Sequence, residues 1–192
     1  MNWKNASGNS RFPGRLTKGA ALALAAKTQL YRKNWAAALT NCQSVINSGE
    51  YALTPNFATV FTDAGENNAE SIFEIQASIG ANGADNFSSP SPIAQGIRGA
   101  GDWDLGWGWN TPTQNLVDAF ETGDPRKGAS ILFSGQPDGS FGKVLPAFPT
   151  IPRLYWNKKV YPDPAQQSFT GERQAGWVNQ RVLRFADVLL MA

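Results

Sequence analysis

The most regular stretch of the sequence is residues 18–49, which read KGAALALAAKTQLYRKNWAAALTNCQSVINSG. Alanine and leucine recur at helical spacing over residues 18–33, and Thr17 stands before this segment as a helix cap. After a short break the pattern resumes over residues 35–47 and stops at Gly49. Two Ala-rich helices joined by so short a link predict an αα-hairpin, the unit of tetratricopeptide-type solenoids.

Beyond the hairpin, the sequence predicts shorter elements separated by loops. The alternating residues 71–76 predict a strand, and residues 111–120 predict a short helix capped by its first residue. Residues 129–133 predict a further short strand, and the last helix is expected to start near Asn179. We therefore expect a mainly α chain, with one tetratricopeptide-like αα-hairpin and a loop-rich region that contains short strands.

The composition excludes several kinds of chemistry. The 192 residues include no His and a single Cys, Cys42. No Ser-His-Asp or Cys-His catalytic group, intrachain disulfide, or His-ligated or Cys-cluster metal site can therefore form within this chain. The formal net charge of +2 comes from scattered Lys and Arg, so no nucleic-acid partner is expected. Seven Trp residues are, by contrast, typical of a chain that recognises a ligand.

The two ends of the sequence do not resemble natural termini. The first residues contain no basic segment followed by an apolar run, so no signal peptide is predicted. No stretch of the sequence approaches the length of a membrane span. Residues 182–192 have an amphipathic helical pattern without a Gly, Asn or Pro to end it. We therefore expect a fragment of a longer protein.

Residues 80–110 show no periodicity, and Gly, Pro, Ser and Asn dominate them. A loop of this length inside a domain is usually functional or disordered, and the three Trp residues that it carries argue against disorder. In an extended backbone, the rings of Trp107 and Trp109 would point to the same side. Anchoring of the loop onto the core is the alternative role of these rings, and it stays open here.

The residue types in this loop suit a carbohydrate ligand. Flat Trp rings stack on the C–H faces of sugar rings, while Arg, Asp and Asn form hydrogen bonds with the hydroxyls. The interspersed glycines let the backbone turn sharply and expose the ring faces. The predicted glycan-binding residues are Trp103, Trp107, Trp109, Arg98, Asp102 and Asn110.

Two other features of the sequence, the spacing of two Asp residues and a Trp outside the loop, need a separate interpretation. Asp102 and Asp104 have the spacing of a calcium loop, but Trp107 stands where an EF-hand requires Gly, and Thr113 where it requires Glu. We therefore predict no metal site, and nothing in the sequence indicates a cofactor. Trp156 lies outside the loop, and its sequence leaves open whether it is a core residue or a ligand-facing one.

Five segments of the chain, taken together and in order, resemble the SusD/RagB family. The first two resemble the paired helices of the family's tetratricopeptide-like unit. The five are residues 14–27, residues 35–39 with 45–53, residues 67–76, residues 112–120 with 124–126, and residues 181–191. The resemblance implies a partial SusD-like domain over residues 1–192. Its implied parts are the helical hairpin (11–55), a loop-rich ligand face with short strands and one helix (56–178), and the start of a truncated helix (179–192).

The resemblance also implies a function, which is the non-catalytic binding of oligosaccharides or polysaccharides at the cell surface. Members of the family are outer-membrane lipoproteins that deliver glycans to a SusC-like TonB-dependent transporter. That transporter is therefore the implied protein partner, and no enzymatic activity is expected. The lipid anchor that the family implies for the parent protein has no counterpart in this sequence, which lacks a lipobox.

Two other functions stay open. A tetratricopeptide-type scaffold would bind a protein or peptide, although one hairpin is fewer than the roughly three repeats that a stable solenoid needs. A glycoside hydrolase would need two carboxylates and no His. The available acids are Glu66, Asp102 and Asp104, but acids on loops do not by themselves fix the carboxylate separation that hydrolysis requires.

Overall fold

The computed structural model describes residues 14–78, 89–165, 176 and 178–192. The described chain is rich in helix and has a few strands of three to five residues, as the sequence predicts. It divides into two compact units, and each is described here by itself. Of the described residues, the hairpin unit comprises 14–60, 64–76 and 179–192, and the loop unit comprises 61–63, 77–78, 89–165, 176 and 178.

The hairpin unit is built on two helices, α1 (Lys18–Tyr31) and α2 (Trp35–Ile46). Thr17 and Asn34 cap them, each accepting a hydrogen bond from the backbone N–H three residues ahead, at 3.1 and 3.4 Å. Small side chains allow the two helices to approach closely, which confirms the predicted hairpin. The buried residues of the pair are Ala20, Ala23, Ala26, Ala38, Cys42 and Val45.

A two-stranded antiparallel sheet completes the hairpin unit. It pairs β1 (Ser71–Ile75) with β4 (Gln180–Arg184), and helix α6 (Phe185–Met191) follows β4 directly. The structure differs here from the predicted helix start near Asn179, because the backbone of residues 180–184 pairs with β1. The helix begins once Asp187 accepts the backbone N–H of Arg184 at 2.8 Å. Val188 of α6 is fully buried in the core of the hairpin unit.

Two buried carboxylates hold the sheet to the surrounding loops. Glu70 pairs with the Arg184 guanidinium at 2.9 Å, and its second oxygen accepts the backbone N–H of Thr54 at 3.0 Å. Glu74 accepts the backbone N–H of Asn67 at 3.1 Å and the side-chain amide of Asn179 at 3.0 Å. Both acids are only 4% exposed, so these hydrogen bonds satisfy charges that water cannot reach. Their role in the structure is to stabilise the fold.

The loop unit contains three short helices, α3 (Pro90–Gln95), α4 (Gln114–Asp118) and α5 (Pro125–Ser130). Its antiparallel strands are β2 (Ile131–Phe133) and β3 (Tyr155–Asn157). The side chain of Trp156 is completely buried, which places it in the core. The other residues of this core are Ile97, Leu105, Leu132, Leu145, Ile151 and Tyr161.

Three elements of the loop unit differ from the sequence prediction. Helix α3 lies within the stretch predicted to lack regular structure, with Ser89 as its cap and Pro90 in its first turn. Helix α4 is shorter than the predicted 111–120, because Thr113 rather than Thr111 accepts the capping hydrogen bond. Helix α5 occupies the start of the predicted strand 129–133 and reduces it to β2. Residues 79–88 lie outside the described part of the chain.

Candidate functional site

The Trp-bearing loop is fastened to α3 by its own backbone. The N–H of Trp107 donates to the carbonyl of Ile93 at 2.8 Å, and the N–H of Trp109 donates to the carbonyl of Ala94 at 3.0 Å. Two further bonds of the same kind join Leu105 to Ile97 and Gly108 to Gly96, at 2.9 and 3.0 Å. The backbone beneath the rings is therefore fixed, which reduces the entropy that a ligand would have to remove on binding.

Glycines permit this close approach between the loop and α3. A Cβ atom on Gly106 would lie 2.6 Å from the carbonyl oxygen of Ile93, which leaves no room for a side chain. Gly108 has a φ of +70°, and a Cβ atom there would lie 3.0 Å from Cβ of Arg98 and 3.1 Å from the Trp156 ring. Both positions therefore require glycine, one for space and the other for space and backbone conformation.

The three Trp rings of the loop have different environments. Trp107 is 41% exposed and Trp109 is 60% exposed, and their ring centroids lie 4.8 Å apart with an interplanar angle of 59°. We call these two residues the Trp pair. Trp103 is half-buried and packs against the core of the loop unit, as an anchoring ring would. The structure thus brings two of the three rings together on an accessible surface.

The predicted polar residues are also distributed unevenly. Arg98 is exposed, and its Cβ atom lies next to Gly108. Gly108 is the residue between Trp107 and Trp109 in the sequence. Asn110 is exposed beside Trp109 and has a φ of +50°. Asp102 is exposed within the 3-10 turn Gly101–Trp103, alongside the anchoring ring. Of these three residues, Arg98 and Asn110 therefore lie close to the Trp pair along the backbone, and Asp102 lies beside Trp103 instead.

Two residues that the sequence analysis missed complete the surroundings of the Trp pair. The side-chain oxygen of Gln95, the last residue of α3, accepts hydrogen bonds from the side-chain amides of Asn110 and Asn157, both at 2.8 Å. We call these three residues the amide cluster. The residues come from three separate segments, and a lone Gln or Asn has no motif, so the sequence alone offers no signal for this cluster.

The segment that follows Asn157 is anchored by a buried acid. Asp138, which is 1% exposed, accepts backbone N–H groups from Ser140 and Phe141 and the hydroxyl of Tyr161 at 3.1 Å. Lys158 adds a hydrogen bond from its ammonium to the backbone carbonyl of Asp138. Burial alone raises the pKa of the Asp138 carboxyl, but the hydrogen bonds outweigh it and hold the pKa below its ordinary value.

Substitution of this acid is expected to change the pH dependence of stability. A pKa lowered by folding contributes stability at neutral pH, and this contribution is lost as the pH falls below about 4 and through the folded-state value. Asp138→Asn is therefore expected to lower the free energy of unfolding at pH 7 by about 2 kcal/mol. In urea titrations between pH 4 and 2, the difference in the free energy of unfolding between this variant and the unsubstituted chain should become smaller. A difference in the free energy of unfolding that stays constant over this pH range would contradict this role of the carboxylate.

A cavity of about 620 Å³ in the hairpin unit offers a different kind of surface. Leu16, Leu22 and Val45 contribute aliphatic walls to it near the start of α1. Its aromatic residue, Tyr51, is 7% exposed, and the Tyr51 hydroxyl lies within hydrogen-bond distance of Thr17 at 3.1 Å. A ring that is buried in this way presents no flat face to a sugar, so the Trp pair is the better carbohydrate platform.

Comparison with known proteins shows which proteins the chain is similar to. No protein-family model matches the chain. SusD-like protein P25 of Formosa agariphila is 25% identical over an alignment that covers 93% of this chain and 38% of that protein. The solved structure of a laminarin-binding SusD-like protein is 27% identical, with a TM-score of 0.73 over 93% of this chain and 43% of its own. These similarities confirm the resemblance to the SusD/RagB family that the sequence predicts.

A second solved structure shows the same fold at lower identity. Surface glycan-binding protein A from Bacteroides thetaiotaomicron, in complex with laminarihexaose, is 20% identical to this SusD-like chain with a TM-score of 0.68. It is matched over the whole of this chain and 45% of its own. The chain thus spans less than half the length of these relatives.

The acids that the sequence analysis considered lie in different parts of the chain. Within the part that the structure describes, no group of three or more Cys, Asp and Glu side chains is arranged to hold a metal ion. Glu66 belongs to the hairpin unit, where its carboxylate accepts the backbone N–H of Asn179. Asp102 and Asp104 belong to the loop unit.

Among the helices of the described ranges, none combines the length and the hydropathy that crossing a bilayer requires.

Proposed function

We propose that the chain captures glycans without cleaving them and that the Trp pair supplies the principal contact. The observation that carries this proposal is two touching indoles, about half exposed, on a backbone fixed to α3. Trp offers a large, rigid apolar face that a sugar ring can cover, at little cost in side-chain entropy. A pair that is held in place before the ligand arrives loses little further freedom on binding.

Neutral polar groups next to the Trp pair support the same function. Asn110 follows Trp109 in the chain and its side-chain amide is hydrogen-bonded to that of Gln95, and amides can both donate to and accept from a sugar hydroxyl. A hydrolase would instead need two carboxylates held about 5 Å or about 6.5–9.5 Å apart across a glycosidic bond. The carboxylates of Glu70 and Glu74, which the fold does hold rigidly, are buried and occupied by hydrogen bonds.

The cellular role that we propose is supported by the resemblance to the SusD/RagB family. The parent protein would be anchored to the outer membrane by a lipid, would bind polysaccharide or oligosaccharide at the cell surface and would deliver it to a SusC-like TonB-dependent transporter. This role needs no catalytic group or cofactor in the chain. It requires a site that binds reversibly, because a bound glycan must be released to the transporter.

Affinity electrophoresis of the intact protein tests this function. Laminarin is the first polysaccharide to include in the gel, because one relative is a laminarin-binding protein and another holds laminarihexaose. Cellulose derivatives, mannan, galactan and xylan extend the panel. We expect retardation by at least one polysaccharide, with no increase in reducing ends after prolonged incubation. Release of reducing sugar would contradict the proposal, and so would unchanged migration in every gel.

A further inference from the structure

The amide cluster has a defined pattern of donors and acceptors, and one backbone group determines it. The N–H of Lys159 can only donate, and it donates to the side-chain oxygen of Asn157 at 3.1 Å. The Asn157 side chain therefore directs its NH₂ group to Gln95, whose oxygen accepts it at 2.8 Å. Since the Gln95 oxygen is an acceptor, Asn110 must also direct its NH₂ group to that oxygen, and the Asn110 nitrogen lies 2.8 Å from it.

This arrangement leaves one donor and one acceptor for a ligand. The Gln95 oxygen is occupied by two N–H donors, whereas its NH₂ group donates to no protein atom within the described residues. The side-chain oxygen of Asn110 likewise accepts no hydrogen bond from the described part of the chain. Both residues are close to Trp109 along the backbone. Asn110 follows Trp109 in the chain, and Gln95 follows Ala94, whose carbonyl accepts the backbone N–H of Trp109.

We propose that Gln95 and Asn110 bind neighbouring hydroxyls of the sugar ring that stacks on Trp109, and that they set the preference for one hydroxyl configuration. Asn157 is a positioning residue, since it acts on the ligand through Gln95. The inference rests on the proposed glycan binding at the Trp pair. A hydroxyl both donates and accepts, so an adjacent NH₂ group and carbonyl oxygen match two hydroxyls in one relative orientation.

The chemistry predicts different consequences for the rings and the amides. Stacking on Trp depends on the face of the sugar and tolerates many sugars, as base stacking on aromatic side chains tolerates many bases. A site that is built to hydrogen-bond a hydroxyl discriminates more strongly, because the wrong sugar leaves a polar group unpaired. Loss of a Trp ring should therefore weaken the binding of all glycans alike, and loss of an amide should reduce the differences among their affinities.

Isothermal titration calorimetry of the intact protein with hexasaccharides of glucose, mannose and galactose tests this inference. Gln95→Ala and Asn110→Gly are expected to lower the affinity for the preferred hexasaccharide by about 5-fold and to bring the three affinities closer together. Glycine suits position 110 because φ is positive there. Gln43→Ala, at an exposed glutamine of α2, is the matched control and should change neither affinity nor preference.

Asn157→Asp separates positioning from simple support of the fold. Aspartate still accepts the Lys159 N–H but has no NH₂ group for the Gln95 oxygen, so Gln95 is expected to turn and present its oxygen outward. The order of preference among the three hexasaccharides should then change while the unfolding midpoint stays within a few degrees. Undiminished differences among the three affinities in Gln95→Ala, together with an unaltered order of preference in Asn157→Asp, would overturn the inference and leave glycan binding intact. Failure of the unsubstituted protein to bind any hexasaccharide or panel polysaccharide would overturn both proposals.

Discussion

Trp156→Ala is expected to lower the free energy of unfolding by about 3–5 kcal/mol, the range measured for removing large aromatic side chains from protein cores. Trp156 lies in β3 opposite Leu132 of β2, and its side chain is completely buried in the core of the loop unit. Its indole N–H donates to the hydroxyl of Ser134 at 3.0 Å, so the substitution removes a hydrogen bond as well as packing. Gly108 lies directly against the ring, so the loop that carries the Trp pair would lose its support.

Urea denaturation followed by circular dichroism measures this effect. Trp35→Ala is the control, because Trp35 is 61% exposed and its loss should cost no more than about 0.5 kcal/mol. Trp156→Phe refills most of the space and is expected to cost about 1–2 kcal/mol, which keeps the test usable if the alanine variant does not fold. Equal midpoints for Trp156→Phe, Trp35→Ala and the unsubstituted chain would contradict the position assigned to Trp156.

The double variant Trp107→Ala/Trp109→Ala is expected to weaken glycan binding by about 3 kcal/mol, which is roughly 150-fold. Each single substitution should cost about 1–3 kcal/mol, by analogy with the stacking of nucleic-acid bases on aromatic side chains. Because the rings are 4.8 Å apart and support each other, the two single effects should not be additive. Calorimetric titration of the intact protein with its strongest ligand from the electrophoresis panel provides the measurement.

Trp35→Ala serves again as the matched control, since it removes an exposed indole from the hairpin unit. Its affinity for the glycan should equal that of the unsubstituted protein. Trp103→Phe is a second useful comparison, because Trp103 packs against the core and the loop should keep its course with another aromatic ring at that position. Full affinity in the double variant would exclude the Trp pair as the principal contact while leaving the similarity to SusD-like proteins unaffected.

The helical hairpin is the part of the fold that the sequence predicts best. Small apolar residues at helical spacing and the Thr17 cap define α1 locally, so no distant partner is needed to recognise it. Strand β1 is similarly evident from its alternating pattern. By contrast, residues 180–184 fit both a strand and the first turns of a helix. Their pairing with β1, more than 100 residues earlier, decides between the two.

The candidate site is predictable only in part for the same reason. The cluster of Trp residues in a Gly-rich loop points to the Trp pair, whose rings lie 4.8 Å apart. The backbone between them is not the extended one that the spacing argument assumes, because Gly108 has a φ of +70°. The different position of Trp103 follows from the core of the loop unit, which no local pattern describes. Gln95 and Asn157 are 62 positions apart, and only the packing of α3 beside β3 brings their amides together.

The most direct measurement of the central claim follows the indole N–H resonances of the protein during titration with a glycan. The sequence contains seven Trp residues, so the spectrum of the ¹⁵N-labelled protein is simple, and single Trp→Phe variants assign its signals. Laminarihexaose is the first ligand to add. We expect the signals of Trp107 and Trp109 to shift until saturation, while the signal of the buried Trp156 stays in place. Saturated binding that leaves the signals of Trp107 and Trp109 unchanged would contradict the account.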